Sequence, residues 1–276
     1  MSAIAAPAPV NQPRKRWTRF VLPVYSLAMI AYLASPVFLM ILYGFNNIPG
    51  ERQTPKFWGF TLHWYRDLFG VPGLTPAFEH SITIAIPSAI ISTILGTFIG
   101  LALGRYAFRG RPPVNFVIFL AIAVPEIVLG SSLLSMFVLT RTPLGYGSIL
   151  VSHIGFSIAF VAVTVRARVQ GLDRSLEDAA QDLFANPVTA FFRVTLPLIA
   201  PGIVAGGLLA FVLSLDDFVI TNFVSGQFQT FPIWVFGATR IGLPPQVNVM
   251  GTLLFMTGVV LAVINVAVGR RRAATA

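Results

Sequence analysis

The chain contains no cysteine, an absence that excludes disulfides, thiolate metal sites and cysteine nucleophiles together. Charge is nearly as scarce. Only 11% of the 276 residues are Asp, Glu, Lys or Arg, while 55% are hydrophobic. Soluble globular domains carry roughly a quarter charged residues, so an ordinary soluble protein is excluded as well. There are three histidines, and His63 and His80 fall in a loop region without the spacing of metal ligands. A net charge of +9 would suit nucleic acid, were there no other reason for the basic residues to lie where they do.

Long apolar runs supply that reason. Phe20–Gly44, Ser81–Gly104 and Ile241–Gly269 hold no charged residue, Pro112–Thr140 holds only Glu126, and Thr142–Val165 holds only His153 as a titratable group. Val194–Leu215 is uncharged and runs into Asp216 and Asp217. About 20 apolar residues cross the hydrocarbon core as a helix, so the sequence predicts an all-α integral membrane protein of six transmembrane helices. Phe20–Gly44 is too long for a secretory signal, and no small-residue cleavage site follows it.

With the N-terminus inside, the inner segments hold Arg14, Lys15, Arg16, Arg19, Arg105, Arg109, Arg111, Arg166, Arg168, Arg174, Arg193, Arg270, Arg271 and Arg272. Outside remain Arg52, Lys56, Arg66, Arg141 and Arg240. That bias predicts two cytoplasmic termini and accounts for the basic charge without nucleic acid. The expected organisation is a disordered tail over 1–19, a six-helix membrane domain over 20–269 with an inner loop at 166–196, and a second tail at 270–276. Glycines at four-residue spacing (Gly96, Gly100, Gly104; Gly202, Gly206) predict close helix packing within the bundle.

The inner loop carries "SLEDAAQDLFANPVTAFFRVTLPLIAPG", Ser175 to Gly202. Ser175 with Asp178 three residues on reads as a capping box. Leu176, Ala179, Ala180, Leu183 and Phe184 share one apolar face, with Glu177, Gln181 and Asp182 on the rest. Pro187 stops the helix by taking Asn186 out of helical geometry. A helix over Leu176–Ala185 is about 15 Å long and cannot span. It either lies on the bilayer or docks on a partner protein. Interfacial helices carry Lys and Arg on the polar face, whereas this one carries acids, which suits a groove with basic edges.

The spacing resembles the EAA motif of ATP-binding-cassette importer permeases: Glu-Ala-Ala, three residues, Gly, nine residues, Ile, any residue, Leu-Pro. Asp178-Ala179-Ala180, Phe184, Val194 and Leu196-Pro197 occupy those places, with Asp for Glu and Phe for Gly. "LLAFVLSLDDFVITNFVSG", Leu208 to Gly226, is similar to the second permease of spermidine/putrescine importers. The resemblance implies a coupling role for Leu176, Glu177, Asp178, Ala179, Ala180, Leu183, Phe184, Leu196 and Pro197. It also implies a cytoplasmic ATPase dimer carrying ATP and Mg, a second permease (a paralogue), an extracytoplasmic binding protein, and a bacterial inner-membrane location. No cofactor is expected on this chain, which has no G-x-x-x-x-G-K-[ST] loop. Leu196-Pro197 is expected to end the docking segment and begin the fifth span.

Acids within the membrane are costly and are functional candidates by default. Glu126, Asp216 and Asp217 either line a cation pathway or tie helix ends, and Trp234, with Phe231 and Tyr146, offers a cation–π face or an aromatic belt. Two other readings stay open: a stand-alone channel or secondary carrier, and an intramembrane hydrolase using Ser131 or Ser132 with His153.

Overall fold

The computed structural model describes residues 18–50, 52–173 and 175–274, with the backbone alone at 18, 19, 261, 262 and 264–274. The predicted tail up to residue 17, its basic residues, and Arg174 lie outside the described residues. In chain order the helices are α1 (Thr18–Gly44), α2 (His63–Arg66), α3 (Leu74–Arg105), α4 (Arg111–Ala123), α5 (Glu126–Leu139) and α6 (Tyr146–Gln170). Then follow α7 (Ser175–Asp182), α8 (Pro187–Ala190), a π-turn (Phe191–Thr195), α9 (Leu196–Asp216), α10 (Val219–Val224), α11 (Phe231–Thr239) and α12 (Gln246–Ala274). Among the described residues the only β pairing is an isolated bridge between Asn46 and Phe60.

Four stretches are long and apolar enough to cross a bilayer: Phe20–Gly44, Leu74–Arg105, Tyr146–Gln170 and Pro187–Asp216. α4 and α5 pass the same test only together, bent by 107° at the break between them, as one broken span or a re-entrant pair. The described apolar part of α12 is the shorter Gln246–Val260. Four to five spans are therefore supported, with α12 beside them, where the sequence predicts six.

The bend corrects the expectation of one straight helix over Pro112–Thr140. Pro125 has no N–H to donate and excludes helical geometry at the residue before it. Val124 is accordingly extended, with φ −68° and ψ 130°. Glu126 opens the first turn of α5, so its depth cannot be reckoned along a single helix.

The chain divides into two compact units. One holds the described residues up to Asp67 together with Pro245–Met256. Its organising residue is buried Asn46, whose side chain donates to Lys56 O (2.9 Å) and accepts from Trp58 N (2.7 Å). Trp64 is buried and donates its indole N–H to Asn46 O at 2.8 Å, so it is a core residue of this unit. The other unit is built on α3, α6 and α9, which pack against one another. The glycines make that contact possible: a Cβ on Gly100 would stand 2.8 Å from Ala162 O, and one on Gly202 2.7 Å from Arg168 Cβ.

Candidate functional site

The inner loop is short and tightly bonded. The Asp173 carboxylate accepts the backbone N–H of Ser175 at 3.0 Å, and that bond holds the carboxyl below its ordinary pKa. Ser175, expected to cap the helix, is itself the first helical residue, and its N–H is satisfied by Asp173 two residues earlier. α7 ends at Asp182, three residues earlier than the apolar periodicity suggests. The Phe184 N–H donates to Gln181 O (2.9 Å) and the Ala185 N–H to Ala180 O (3.0 Å), the two bonds of a Schellman terminus. Such a terminus needs a left-handed residue at the position Phe184 occupies, and Phe184 adopts φ 65°. For a side-chain-bearing residue that conformation costs about 1–2 kcal/mol.

The glycine place of the motif is therefore a left-handed turn. The idea that Phe184 lies in register on a helical face is corrected: it stands beyond the helix, 99% exposed, beside Leu183 at 82%. Leu176 is exposed as well, as are Asp178, Ala179 and Asp182, whereas Glu177 and Ala180 are half-buried. The helix turns its Glu177 side toward the rest of the chain and leaves its apolar tip uncovered.

Asn186 is extended (φ −69°, ψ 160°) before Pro187, as predicted, and its side chain caps α8 by accepting Thr189 N at 2.7 Å. Pro197 does not begin the span. Helical geometry runs from Pro187 through the π-turn to Asp216, and the Leu196 N–H bonds Phe191 O, five residues back. Pro197 has no N–H and its ring crowds the carbonyl four residues earlier. The wider turn lets the helix pass that point without a break.

Glu177 is the most connected acid of the loop. It forms an ion pair with Arg105 at the end of α3, both side chains largely covered. It also accepts the hydroxyl of Thr195, a buried residue of the π-turn. One carboxylate so links α7 to two other elements.

At the far end of α9 two adjacent acids separate. Asp217 is buried: its Oδ2 accepts from Thr221 N (2.7 Å) and Thr221 Oγ1 (2.7 Å) and lies 3.3 Å from His153 Nε2. His153 also bonds Ser214 Oγ (2.7 Å) through Nδ1 and Thr221 Oγ1 (2.9 Å) through Nε2. Asp217 therefore ties the start of α10 to α6. Asp216 is exposed, as is Glu126.

Trp234 packs over Gly73, where an added Cβ would meet its Nε1 at 3.0 Å. Phe231 stacks edge-on against Phe78 at 6.0 Å, and the Tyr146 hydroxyl donates to Thr83 O at 3.1 Å. Ser131 and Ser132 both donate to Val128 O, so the hydrolase pairing with His153 does not form. Sequence reasoning missed Arg105, Thr195 and His153 as partners. Arg105 and His153 stand far along the chain from the acids they meet, Thr195 lies 18 residues from Glu177, beyond α8, and in the sequence Arg105 reads only as an inside charge.

Several apolar spans, a closely packed core of α3, α6 and α9, and an amphipathic helix within the inner loop whose apolar end is left uncovered fit a membrane transport permease. The chain belongs to the family of binding-protein-dependent transport system inner membrane components, whose model matches residues 93–272. It is a transport subunit of the ATP-binding-cassette importer class and not an enzyme. It is 36% identical over 247 residues to the spermidine/putrescine transport system permease protein PotC of Escherichia coli (strain K12), covering 89% of this chain and 92% of that one. The putrescine transport system permease protein PotI of the same strain is 36% identical over 239 residues, 84% of each chain. Among solved structures, a bacterial ABC transporter involved in import of the acidic polysaccharide alginate matches 94% of this chain and 99% of its own, with TM-score 0.62 and 15% identity. That likeness concerns the fold.

Proposed function

We propose that this chain is one of two permease subunits of an ATP-driven importer for polyamines, or a similar small organic cation, and that α7 is where a separate cytoplasmic ATPase drives it. The observation that carries the coupling role is the uncovered apolar tip of α7, Leu183 and Phe184, bordered by the exposed acids Asp178 and Asp182. Such a surface suits a groove with basic edges on a soluble partner. A stand-alone channel or carrier has no use for it. ATP and Mg reside on the partner ATPase, a paralogous permease completes the pathway, and an extracytoplasmic protein delivers substrate. Both termini face the cytoplasm of a bacterial cell, as the basic residues require.

The substrate class rests on the relatives' names and on Glu126 and Asp216, two exposed carboxylates at the ends of apolar helices. Together they favour an extended dication. Asp217, bonded to His153 and Thr221, holds helices together in this reading, and partly exposed Trp234 stays a candidate for the pathway.

The test is purification in mild detergent from the protein's own cells, with Leu183→Glu beside wild type. Burying a leucine contributes about 1.5–3 kcal/mol, so the variant should retain at least about tenfold less ATPase subunit. Reconstituted wild-type complex should accumulate radiolabelled putrescine with ATP. If wild type retains no ATPase and a crosslinker at Ala179 finds only lipid, α7 lies on the bilayer and the coupling role assigned to it is lost. Accumulation of another solute but not putrescine would remove the polyamine reading alone.

A further inference from the structure

We infer that Glu177 is not a docking contact but an internal strut, which passes displacement of α7 to α3 through Arg105 and to α9 through Thr195. This deepens the coupling role of α7 and rests on it. α7 is only eight residues long, and it joins α6 and α8 through short linkers. A partner pulling on a helix held by linkers alone would stretch the linkers before moving a span. Coupling needs a side-chain tie that makes helix and spans one body.

Within the described inner loop, Glu177 supplies that tie. Its carboxylate pairs with the Arg105 guanidinium and accepts the Thr195 hydroxyl. Both charged side chains are largely covered, at 16% and 20% exposure, so water and salt screen the pair far less than they would a surface bridge. Asp178, the next residue, faces solvent. The motif's acid position and the acid beside it are thus divided, one for the partner and one for the chain itself.

The location of Thr195 matters. It is the last residue of the π-turn, where the ladder is one residue wide of α-helical register and Pro197 removes the next donor. π-turns inside α-helices recur at functional sites. Glu177 bonds the hydroxyl at that turn, so a shift of α7 bears on the part of the Pro187–Asp216 span most able to yield.

The test uses the whole complex as purified from its cells, reconstituted with putrescine as cargo. Glu177→Gln should retain the ATPase subunit as wild type does, continue to hydrolyse ATP, and take up putrescine about tenfold more slowly. Arg105→Glu should behave likewise, and the double reversal Glu177→Arg with Arg105→Glu should recover much of the uptake. Thr195→Val should reduce uptake and Thr195→Ser should restore it, because only the hydroxyl is at issue. Independently of cargo, hydrogen exchange of the amides over 191–196 should accelerate in Glu177→Gln and return toward wild type in the double reversal. Wild-type uptake and exchange in Glu177→Gln would overturn the strut. So would loss of the ATPase from that variant alone, which would make Glu177 a docking contact. Failure of wild type itself to retain an ATPase is a different result, and it would remove the coupling role of α7 rather than the strut's bonds.

Discussion

Glu177–Asp178 and Asp216–Asp217 are two pairs of adjacent acids, one in the inner loop and one at the end of α9, and each pair splits the same way. At the loop, Glu177 turns into the protein to meet Arg105 and Thr195, while Asp178 faces solvent. At the end of α9, Asp217 turns inward to His153 and Thr221, while Asp216 stays open. In a helix successive residues point about 100° apart, and the extended geometry of Asp217 (φ −63°, ψ 119°) separates the second pair further. Neighbouring acids of like charge therefore need not share a role. The inward member holds elements together, and the outward member is free to meet something that comes and goes.

The sharpest way to break that comparison is to exchange the fates of Asp216 and Asp217. Asp217→Ala leaves the buried Thr221 donors and the His153 ring without their acceptor, at a cost of about 3 kcal/mol. In detergent that should lower the melting temperature by roughly 6 °C. Asp216→Ala should shift stability by no more than about 0.5 kcal/mol, as exposed substitutions usually do, while reducing putrescine uptake. A stable Asp217→Ala with poor uptake, or an unstable Asp216→Ala, would put the two labels the wrong way round.

The loop pair sharpens the same contrast on a smaller scale. An exposed charge at an interface rim is worth about 0–1 kcal/mol and is screened by salt. Asp178→Asn should therefore weaken ATPase retention by about threefold or less, with a shallower salt dependence. Its ratio of uptake to ATP hydrolysis should match wild type, where Glu177→Gln changes that ratio and leaves retention alone. Equal effects of the two substitutions on both readouts would mean that both acids face the partner.

Much of this arrangement is legible in the residues. Uncharged runs of span length and the stop at Pro187 follow from local chemistry that the chain writes in order, while the spacing from Asp178 to Pro197 is legible as a resemblance to a known motif. The rest depends on contacts between distant positions. His153 precedes Asp217 by a whole span and a loop, and nothing in the periodicity of either element names the other. Arg105 reads as one more inside charge until α7 is folded against it. The break at Val124–Pro125 was visible in principle, because proline restricts the residue before it, yet an unbroken apolar run conceals it. The left-handed turn was hidden by its occupant: glycine at 184 would announce it, and phenylalanine does not.

That turn gives the next prediction. Phe184→Gly removes a left-handed penalty of about 1 kcal/mol and should slow hydrogen exchange of the Ala185 amide by about fivefold. It also removes an exposed ring, so ATPase retention should fall while the turn becomes firmer. Phe184→Asn, which tolerates the left-handed region better than phenylalanine, should retain part of the firmness and none of the ring's contact. If firmness and retention rise together, the ring is not a contact and the strained turn serves no docking purpose.

A third inner-loop acid supplies the control. Asp173 accepts a backbone N–H from Ser175, and that bond holds its carboxyl below the ordinary 3.8. A group whose pKa is lower in the folded state steadies that state above the ordinary pKa, and the contribution is lost as pH falls through the lowered value. The first turn of α7 should consequently hold from neutral pH down to about pH 4 and fray below it. Proton exchange at the Ser175 amide, corrected for its intrinsic pH dependence, reads this directly. Asp173→Asn keeps an oxygen acceptor in place and should abolish the acid-dependent fraying, whereas Asp173→Ala should show frayed exchange at every pH. Because the carboxyl is fully exposed, the effect should be the smallest of the set and should leave ATPase retention at neutral pH unaltered in Asp173→Asn. A drop in retention for that variant would show that charge, and not the capping oxygen, is what position 173 contributes.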